Sequence, residues 1–598
     1  MTTMPTSIMS FASMMKGYSW ESISLGLFSF SFTDNLNDVL FSNHFIIELF
    51  LVLIIVYLLV QKARPPRRTE DQSPLTEREV DMMCLRWKLS KDREPLAPAA
   101  GENLNVPSLL DAPRVILDSA PASYVDLYLY PPSVNHTLAF DFLEALAMPN
   151  EAVPPTDDKA ALVRNVFNLA SSNFLGLAGD DEVSTEVDAA TNKYGVGSCG
   201  PRGFYGTIDV HLKLEEELAS FVGYKHAVLY SYDVATPQSV IPAFAKKGDV
   251  AIVDERCSYA IRSGLALARA TVIEFAHNDM KHLEEQLRRV RADRKLVGEK
   301  GKRRLYIVVE GVYANVGTVC PLAKVVQLKE AYNFRLYVDD SFGFGVMGHS
   351  GRGTFERYGV PVSSVDVYTS SLSNSMGSVG GFCCTHETRM DIFQRLNASG
   401  YVFSASLPPL LAAGAIGALR RLRASNGKLP ATCRANAAMV RNWLARMTTS
   451  TASAAAAAAA APSPAGAGAT AAPPAPAVAD GACPDGVLHG LLSVRDGPDG
   501  PPKDGDTGAS PLVHLELSGR WSEKPWHEQQ RAVCAIARRM IVPSGVLVGV
   551  PLYSEIEGDH APTPSLKLCV SSSHTPEALQ AALMRLASAA QAELPQAC

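Results

Sequence analysis

Short apolar runs alternate with amphipathic helical patterns through the middle of the chain, from residue 160 to about 400. The runs have the length of strands and are rich in β-branched residues; they cover 227–231, 250–253, 271–275, 305–310, 336–340 and 365–370. Between them lie helical patterns such as 212–222, whose apolar face includes Leu214 and Leu218. This alternation predicts an α/β domain with a wound, mostly parallel sheet.

A second, smaller domain is predicted towards the C-terminus, over 428–598. Its strand-like runs and helical patterns indicate α+β character and cover 512–517, 527–539, 566–571 and 576–592. Low-complexity sequence interrupts this domain at 449–512, where eight consecutive alanines are followed by alternating Ala, Pro and Gly. Such a composition buries too little apolar surface to offset the entropy of the chain, so we predict that 449–512 is a disordered surface insertion.

One apolar segment near the N-terminus has the length of a membrane span. Residues 45–60 are apolar apart from Glu48, and with 40–44 they reach the roughly 20 residues that a transmembrane helix needs. Acidic residues precede the segment, and a basic cluster follows it at 62–68. Because positive residues favour the cytosolic side, we expect a single transmembrane helix at 40–61 with the body of the protein in the cytosol. A re-entrant or buried core helix is the alternative interpretation.

The other boundaries follow from changes in composition. Residues 1–39 form an N-terminal tail, and we interpret the Pro- and charge-rich residues 62–105 as a tether between membrane and body. The body then begins with 106–159, and the large α/β domain occupies 160–427.

Composition excludes some classes of function. With 55 Lys and Arg against 61 Asp and Glu, the formal net charge is −6, and the chain offers no broad cationic surface for a phosphate backbone. We therefore expect no nucleic-acid partner. The 11 cysteines are scattered and lack the spacing of a metal site, which indicates reduced thiols and no bound metal. Cys383 and Cys384 are adjacent in a strand-like run, and we interpret them as core residues rather than as a redox pair.

The most informative segment runs from Tyr194 to Thr207 and has the sequence YGVGSCGPRGFYGT. Glycine at every second or third position permits positive φ and a close approach of the backbone to a ligand or to another chain. The spacing matches neither the P-loop nor the dinucleotide-binding motif. From this segment alone, a tight structural loop is an equally good interpretation.

Residues 173–409 resemble the α-oxoamine synthases, a family of fold-type I enzymes that depend on pyridoxal phosphate. The matching motifs are 194–207, the helical residues His211, Leu214 and Glu215, AHND at 276–279, EGV at 310–312, VDDSFG at 338–343 and FSASLPP at 403–409. The resemblance implies a fold-type I transferase with a wound sheet in its large domain. It also implies an enzyme that condenses an amino acid with an acyl-CoA and releases carbon dioxide.

The position of the family's cofactor-binding lysine falls on Asn374. No lysine occurs between Lys329 and Lys428, so a shift of a few positions cannot supply one. An amide cannot form an imine with the aldehyde of pyridoxal phosphate. This departure predicts a chain without a covalently bound cofactor.

Three further positions depart from the family pattern. The two histidines that contact the cofactor in the family fall on Ser258 and Phe342. The arginine that holds the substrate carboxylate falls on Ser565, and one hydroxyl cannot replace a bidentate guanidinium. Asp339 is retained at the position that pairs with the pyridine nitrogen, and it is equally well interpreted as a structural residue.

Within the family, these departures and the apolar N-terminal segment most resemble the first long-chain-base subunits of serine palmitoyltransferases. The resemblance implies a non-catalytic subunit in an obligate heterodimer, whose lysine-bearing second long-chain-base subunit holds pyridoxal phosphate covalently. The pair would condense L-serine with palmitoyl-CoA to 3-oxosphinganine, carbon dioxide and CoA, the first step of sphingolipid biosynthesis. The resemblance also implies the endoplasmic reticulum membrane as location, with membrane lipid and small activating and regulatory membrane subunits as further partners.

The active site of such a dimer lies at its interface, so loops of one chain complete the pocket of the other. The resemblance implies that the glycine-rich loop faces the partner's active site through Tyr194, Gly195, Gly197, Cys199, Gly200 and Arg202. It also implies that Ser404 and Ser406 donate hydrogen bonds to the phosphate of the partner's cofactor.

Two other functions compete with this hypothesis. An autonomous homodimeric synthase would need a lysine, which residues 330–427 do not contain. A membrane scaffold or regulatory pseudo-enzyme without a transferase role would have no need of the glycine-rich loop or of 403–409, yet both motifs are intact.

Overall fold

The computed structural model describes residues 113–130, 161–298, 303–448, 488–494, 509–551 and 562–594, together with Leu53. The predicted tail, membrane segment and tether therefore lie outside the described residues, apart from Leu53. Within the described ranges, no helix is both long and apolar enough to cross a bilayer.

The described residues form strands and helices in the following chain order. The strands are β1 (Arg114–Leu117), β2 (Tyr124–Tyr130), β3 (Ala161–Leu169), β4 (His226–Tyr230), β5 (Val250–Asp254), β6 (Thr271–Phe275), β7 (Leu305–Glu310), β8 (Arg335–Asp339), β9 (Val367–Ser371), β10 (Gly381–Thr385), β11 (Leu492–Val494), β12 (Leu512–Leu517), β13 (Val546–Val548) and β14 (Ser565–Cys569). The helices are α1 (Asp181–Tyr194), α2 (Asp209–Val222), α3 (Ala235–Phe244), α4 (Tyr259–Ala268), α5 (Met280–Ala292), α6 (Arg294–Val297), α7 (Leu322–Tyr332), α8 (Thr354–Arg357), α9 (Thr388–Asn397), α10 (Ser399–Val402), α11 (Pro409–Ala424), α12 (Lys428–Thr448), α13 (Trp526–Ile541) and α14 (Pro576–Glu593).

A seven-stranded sheet forms the centre of the large domain, in the order β4-β10-β9-β8-β7-β5-β6. Strand β10 runs antiparallel to both of its neighbours, and the remaining pairs are parallel. The prediction of a mostly parallel wound sheet is confirmed. Strands β5, β7 and β10 are buried along their whole length, as expected where helices cover both faces of a sheet.

The apolar face predicted for the helix at 212–222 packs into the core of the large domain. In α2, Leu214, Leu218 and Val222 are at most 1% exposed. Cys383 and Cys384 lie on β10, the strand next to the edge strand β4, and are fully buried, which confirms their interpretation as core residues. Burial raises the pKa of both thiols, so they remain protonated at neutral pH.

The small domain contains two further sheets. The residues that form it differ from the predicted range. One sheet has the order β1-β2-β3-β13 and the other β11-β12-β14. Strand β3 pairs in parallel with β13, so residues 161–169 join the C-terminal domain rather than the large domain to which they were assigned. The side chains of Phe167 and Leu169 pack into the same core as α12, α13 and α14.

The predicted insertion at 449–512 is wrong as a single segment. Residues 492–494 form strand β11, which pairs antiparallel with β12. Leu488, Leu491 and Leu492 are at most 2% exposed in the core of the small domain. The prediction rested on the composition averaged over 449–512 and therefore missed this short apolar run. The run is long enough to form one edge strand of a sheet.

Candidate functional site

Acidic side chains gather where the parallel strands of the large sheet end. Asp254 ends β5, Glu310 ends β7, and Asp339 ends β8 with Asp340 following it. All four residues are at most 7% exposed. The carboxyl edge of a wound sheet is where α/β proteins bind ligands, so this is the candidate site.

Two of these acids are held by structural hydrogen bonds. Asp254 Oδ1 lies 2.8 Å from Nδ1 of His277, whose Nε2 lies 2.7 Å from the Thr318 hydroxyl. Asp340 accepts a 2.7 Å hydrogen bond from the Thr354 hydroxyl. A Cβ on Gly311 or Gly343 would lie 2.0–2.1 Å from Asp340 Oδ1, so the motifs EGV and VDDSFG need glycine there.

Asp339 and Glu310 are neighbours across β7 and β8 in the register of the sheet. Asp339 accepts hydrogen bonds from the Thr369 hydroxyl at 2.8 Å and from the Ser341 backbone N–H at 3.1 Å. Burial raises its pKa. Burial, and then the nearby Asp339 carboxylate, raise the pKa of Glu310 to about 7. Two buried carboxyl groups are therefore neighbours, and their burial makes both harder to ionise.

Asn374 lies beside this pair and is tied to it through the backbone. Its side-chain N–H₂ donates to the Ser341 carbonyl at 2.8 Å, and Ser341 in turn donates its N–H to Asp339. The Asn374 carbonyl accepts from the Phe174 N–H at 3.0 Å, and the residue is 9% exposed. The structure thus brings together Asn374 and Asp339, two positions that the sequence predicted to share a site.

Ser258 and Phe342 follow the carboxyl ends of the parallel strands β5 and β8, at the same edge of the sheet. The backbone N–H of Ser258 donates to Glu310 Oε1 at 2.7 Å. The ring of Phe342 packs against Phe174, with 6.2 Å between the ring centroids. Neither residue brings a titratable group to the site, and Phe342 makes one wall of it apolar.

The glycine-rich loop shows why its glycines are needed. A Cβ on Gly206 would lie 1.8 Å from the carbonyl oxygen of Gly200, so these two parts of the loop touch through their backbones. Gly195 has a φ of +73°, which favours glycine. The outer part of the loop presents exposed residues, namely Gly195, Val196, Gly197, Cys199, Phe204 and Tyr205. Such a surface suits contact with another chain.

Arg202 does not face outwards, in contrast to its predicted place in the partner's active site. Its guanidinium makes a bidentate pair with Glu215 at 2.8 and 3.1 Å, and its Nε donates to the Thr207 hydroxyl at 3.0 Å. The Arg202 side chain is 3% exposed. A buried charge needs an opposite charge, and Glu215 on α2 supplies it from within the chain.

The two serines of the motif FSASLPP also differ from each other. Ser406 is 4% exposed, and its N–H and hydroxyl both donate to the Gly200 carbonyl, at 2.9 and 3.0 Å. While it holds the loop in this way, the Ser406 hydroxyl cannot donate to a phosphate. Ser404 is half-buried and donates only to its neighbour Ala405, at 3.3 Å. Of the two predicted phosphate ligands, the geometry therefore favours Ser404.

Comparison with known proteins places the chain in a family. A family model described as aminotransferase class I and II matches residues 164–451. The chain is 40% identical over 404 residues to long chain base biosynthesis protein 1b of Oryza sativa subsp. japonica, which covers 67% of this chain and 73% of that protein. It is 38% identical over 373 residues to serine palmitoyltransferase 1 of Dictyostelium discoideum, covering 62% and 67% of the two chains. The chain belongs to the serine palmitoyltransferase family.

Solved structures of serine palmitoyltransferases share the fold of this family member. The enzyme from Sphingomonas wittichii aligns with a TM-score of 0.56 and 23% identity over 77% of this chain and 97% of that one. A variant of the enzyme from S. paucimobilis aligns with a TM-score of 0.56 and 22% identity over 73% and 90% of the two chains. The predicted α/β fold of pyridoxal-phosphate enzymes is confirmed.

The fold of serine palmitoyltransferases implies pyridoxal phosphate, but the residues at this site do not fit its covalent attachment. Asn374 offers an amide whose nitrogen lone pair is delocalised, and this nitrogen already donates one hydrogen bond to the Ser341 carbonyl. Among the residues that the structure describes, no group of His, Cys, Asp and Glu is arranged to hold a metal ion either.

The sequence did not identify His514, which links the predicted position Ser565 to the site of this serine palmitoyltransferase homologue. Ser565 is fully buried, and its hydroxyl lies 2.9 Å from Nδ1 of His514. His514 Nε2 lies 3.1 Å from the Ala314 carbonyl, and the Ala314 N–H donates to Glu310 at 2.7 Å. Because a carbonyl only accepts, Nε2 carries the proton and Nδ1 accepts from Ser565. The alternation of Val513, Leu515 and Leu517 places His514 on the other face of β12, together with Glu516, so no local pattern marked it as a buried residue.

Proposed function

We propose that this chain is the lysine-lacking subunit of a serine palmitoyltransferase, which condenses L-serine with palmitoyl-CoA to 3-oxosphinganine, carbon dioxide and CoA. This reaction is the first step of sphingolipid biosynthesis. The observation that carries the proposal is the amide of Asn374, held by the Ser341 carbonyl next to Asp339, in a stretch of 98 residues, 330–427, without a lysine. Ser258, Phe342 and Ser565 support it, because none of them can replace a histidine or an arginine.

The cofactor then belongs to the partner. A lysine-bearing second long-chain-base subunit holds pyridoxal phosphate, and this chain contributes to the partner's pocket from across the interface. The hydroxyl of Ser404 is the side chain best suited to reach the cofactor phosphate, since that of Ser406 is occupied by Gly200. The backbone of 194–200 forms part of the wall of the same pocket.

Exposed apolar side chains support an obligate heterodimer. Val196, Phe204 and Tyr205 of the glycine-rich loop are 74%, 63% and 103% exposed, and Phe403 of the neighbouring motif is 84% exposed. The loop and the motif are joined through Gly200 and Ser406, so these side chains belong to one region of the surface. A monomer seldom leaves so many large apolar groups in water, whereas a permanent subunit interface covers them.

The deciding experiment compares three preparations: this chain alone, a lysine-bearing homologue from the same source alone, and the two expressed together. We expect 3-oxosphinganine to form from L-serine and palmitoyl-CoA only when both chains are present. A partner carrying alanine in place of its cofactor lysine should abolish activity in the pair. Activity of this chain alone, with borohydride trapping the cofactor on one of its lysines, would contradict the proposal.

The same assay tests the scaffold alternative. If the lysine-bearing chain alone were as active as the pair, this chain would have no transferase role and would serve as a membrane scaffold or regulator. The apolar residues of the loop then offer a sharper test. Phe204→Ser should weaken co-purification of the two chains, whereas the matched change Leu267→Ser, at an exposed residue on α4, should not.

The proposal includes a location in the endoplasmic reticulum membrane, with residues 40–61 crossing once and the body in the cytosol. It also includes small activating and regulatory membrane subunits as further partners of the chain. The sequence of 40–61, with a basic cluster after it, supports this topology. Alkaline carbonate should leave the chain in the membrane fraction, and a protease added to sealed microsomes should digest the body. Extraction of the chain by carbonate would contradict the location.

A further inference from the structure

A carboxylate of this chain occupies a position that suits a bound anion. Asp233 lies two residues before the start of α3, at the positive end of that ten-residue helix. Its Oδ2 accepts hydrogen bonds from the Ser373 hydroxyl at 2.8 Å and from the Ser371 hydroxyl at 3.3 Å. Both serines belong to the segment that runs from the end of β9 to Asn374.

Three elements converge on this point. Ser371 and Ser373 lie 2.7 Å apart through their hydroxyls, and the Ser373 N–H donates to Ser371 Oγ at 2.9 Å. A Cβ on Gly381 would lie 2.3 Å from Thr236 Oγ1, so glycine at the start of β10 lets the first turn of α3 approach the sheet. Paired hydroxyls beside the N-terminus of a helix are the groups with which proteins bind phosphate.

Asp233 does not act as a cap of α3. The helix has no side-chain capping bond, and the Thr236 N–H donates to the backbone carbonyl of Asp233 instead of to its carboxylate. The carboxylate reaches across to the serines after β9, as an external anion would. Its field also reaches the neighbouring site, where it adds to the effect of burial in raising the pKa of Asp339.

We propose that Asp233 is a built-in anion that fills a phosphate-binding cradle made by α3, Ser371 and Ser373, and that it closes this chain's own site to phosphate-bearing ligands. The side chain accepts the proton that the serine pair would donate to an anion, and it repels a second anion by its charge. Loss of a lysine removes only the covalent bond to a phosphorylated aldehyde, whereas Asp233 prevents non-covalent binding as well. The inference stands apart from the proposed subunit role, because it concerns this chain's own site and needs no partner.

Binding of inorganic phosphate to the full chain, measured by calorimetry, tests the proposal. We expect Asp233→Ala to bind phosphate at least tenfold more tightly than the wild type. The gain in phosphate affinity should be smaller for Asp233→Asn, because the amide removes the negative charge but still occupies the cradle. The exposed Asp188 on α1 supplies a matched control, and Asp188→Asn should leave phosphate binding unchanged.

A second variant locates the bound phosphate. Adding Ser371→Ala and Ser373→Ala to Asp233→Ala should remove the gain in affinity, while circular dichroism checks that each variant is folded. Equal affinities for the wild type and Asp233→Ala, including no binding by either, would overturn the proposal. A gain that survives in the triple variant would place the phosphate elsewhere and would also overturn it. Neither result bears on whether the chain supports condensation of serine with palmitoyl-CoA in a heterodimer.

Discussion

Burial keeps two histidines of this molecule in their neutral form, and backbone hydrogen bonds fix which ring nitrogen carries the proton. His574 accepts a hydrogen bond from the Ser571 N–H at Nδ1 and donates from Nε2 to the Asn168 carbonyl, each at 3.1 Å. Burial lowers its pKa from 6.5 to about 4. Burial also lowers the pKa of His211, which joins the N-terminus of α2 to the Leu407 carbonyl. Both residues therefore oppose protonation of the folded chain.

His574 should make the fold sensitive to acid. Below pH 6.5 the unfolded chain binds a proton that the folded chain does not bind until about pH 4, so the free energy of unfolding falls as the pH falls through this window. The loss from this one group reaches about 3 kcal/mol at pH 4. Urea unfolding at pH 7 and pH 4 measures it, with His574→Gln as the non-titrating control. Buried acids such as Glu310 change stability with pH in the opposite direction, so only the difference between the wild type and His574→Gln reports on His574. An equal loss of unfolding free energy in the wild type and in His574→Gln would show that His574 is not responsible.

The buried ion pair of Arg202 and Glu215 should contribute far more to the free energy of unfolding than ion pairs at the surface do. Replacing Arg202 by Met removes the bidentate partner of the buried Glu215 carboxylate, which keeps its longer contact with Arg395 at 3.3 Å and the hydrogen bond from the Leu229 N–H. The change should cost about 3 kcal/mol of unfolding free energy. In the double variant Arg202→Met, Glu215→Leu, the cost should be smaller than the sum of the single changes. Arg164 pairs with Asp126 at 3.5 Å but is 71% exposed, so Arg164→Met is the control and should cost less than about 1 kcal/mol. Additive single changes would mean that the buried pair is not coupled.

At the scale of residues, the sequence located the site better than it described the contacts there. Asn374 and Asp339 were predicted to share a site, and the structure links them through Ser341. The partners of Arg202 and Ser565 were not predictable, because Glu215 and His514 come close only through the packing of other elements. A motif fixes the type of a residue, whereas burial decides whether its side chain points towards a ligand or into the chain.

At the scale of elements, the strands of the large sheet were predicted closely and those of the first sheet were not. Strands β6 and β7 have the predicted bounds. In β7 a continuous apolar run marks a buried strand, whereas the edge strand β6 was marked by its β-branched residues Thr271, Val272 and Ile273. Strands β1 to β3 lack such runs, and β3 contains Arg164 and Asn165 in its middle. Their pairing with β13 near the C-terminus depends on contacts that no local pattern records.

The glycine-rich loop is an element whose shape depends on one close contact. In Gly206→Ala the new Cβ would lie 1.8 Å from the Gly200 carbonyl, so the backbone must move. We expect a loss of at least about 2 kcal/mol and a lower melting temperature. Gly203 lies in the same loop with nothing within 4 Å of its Cβ position and without a positive φ, so Gly203→Ala should have little effect. If both variants melted at the same temperature, the contact would not determine the stability of the loop.

At the scale of the whole molecule, the described residues on either side of the low-complexity sequence meet in the small domain. The N–H of Leu488 donates to the carbonyl of Met447 at 2.8 Å, although 40 positions separate them along the chain. The sequence between these points can therefore be long or short without changing how α12 and β11 pack. The predicted end of the insertion at 512 is wrong, because β11 precedes it at Leu492–Val494.

Replacing residues 449–487 by a short Gly/Ser linker should leave the fold intact. The entropy of closing a loop grows only slowly with its length, by about 0.6 kcal/mol for each doubling, and the two ends already meet. We expect a change in unfolding free energy of less than about 2 kcal/mol. Deleting 488–494 is the contrasting change: it removes Leu488, Leu491 and Leu492 from the core and exposes an edge of β12, so it should unfold the small domain. Limited proteolysis and thermal melting compare the two deletions. A short-linker chain as unstable as the β11 deletion would show that 449–487 contributes to the fold.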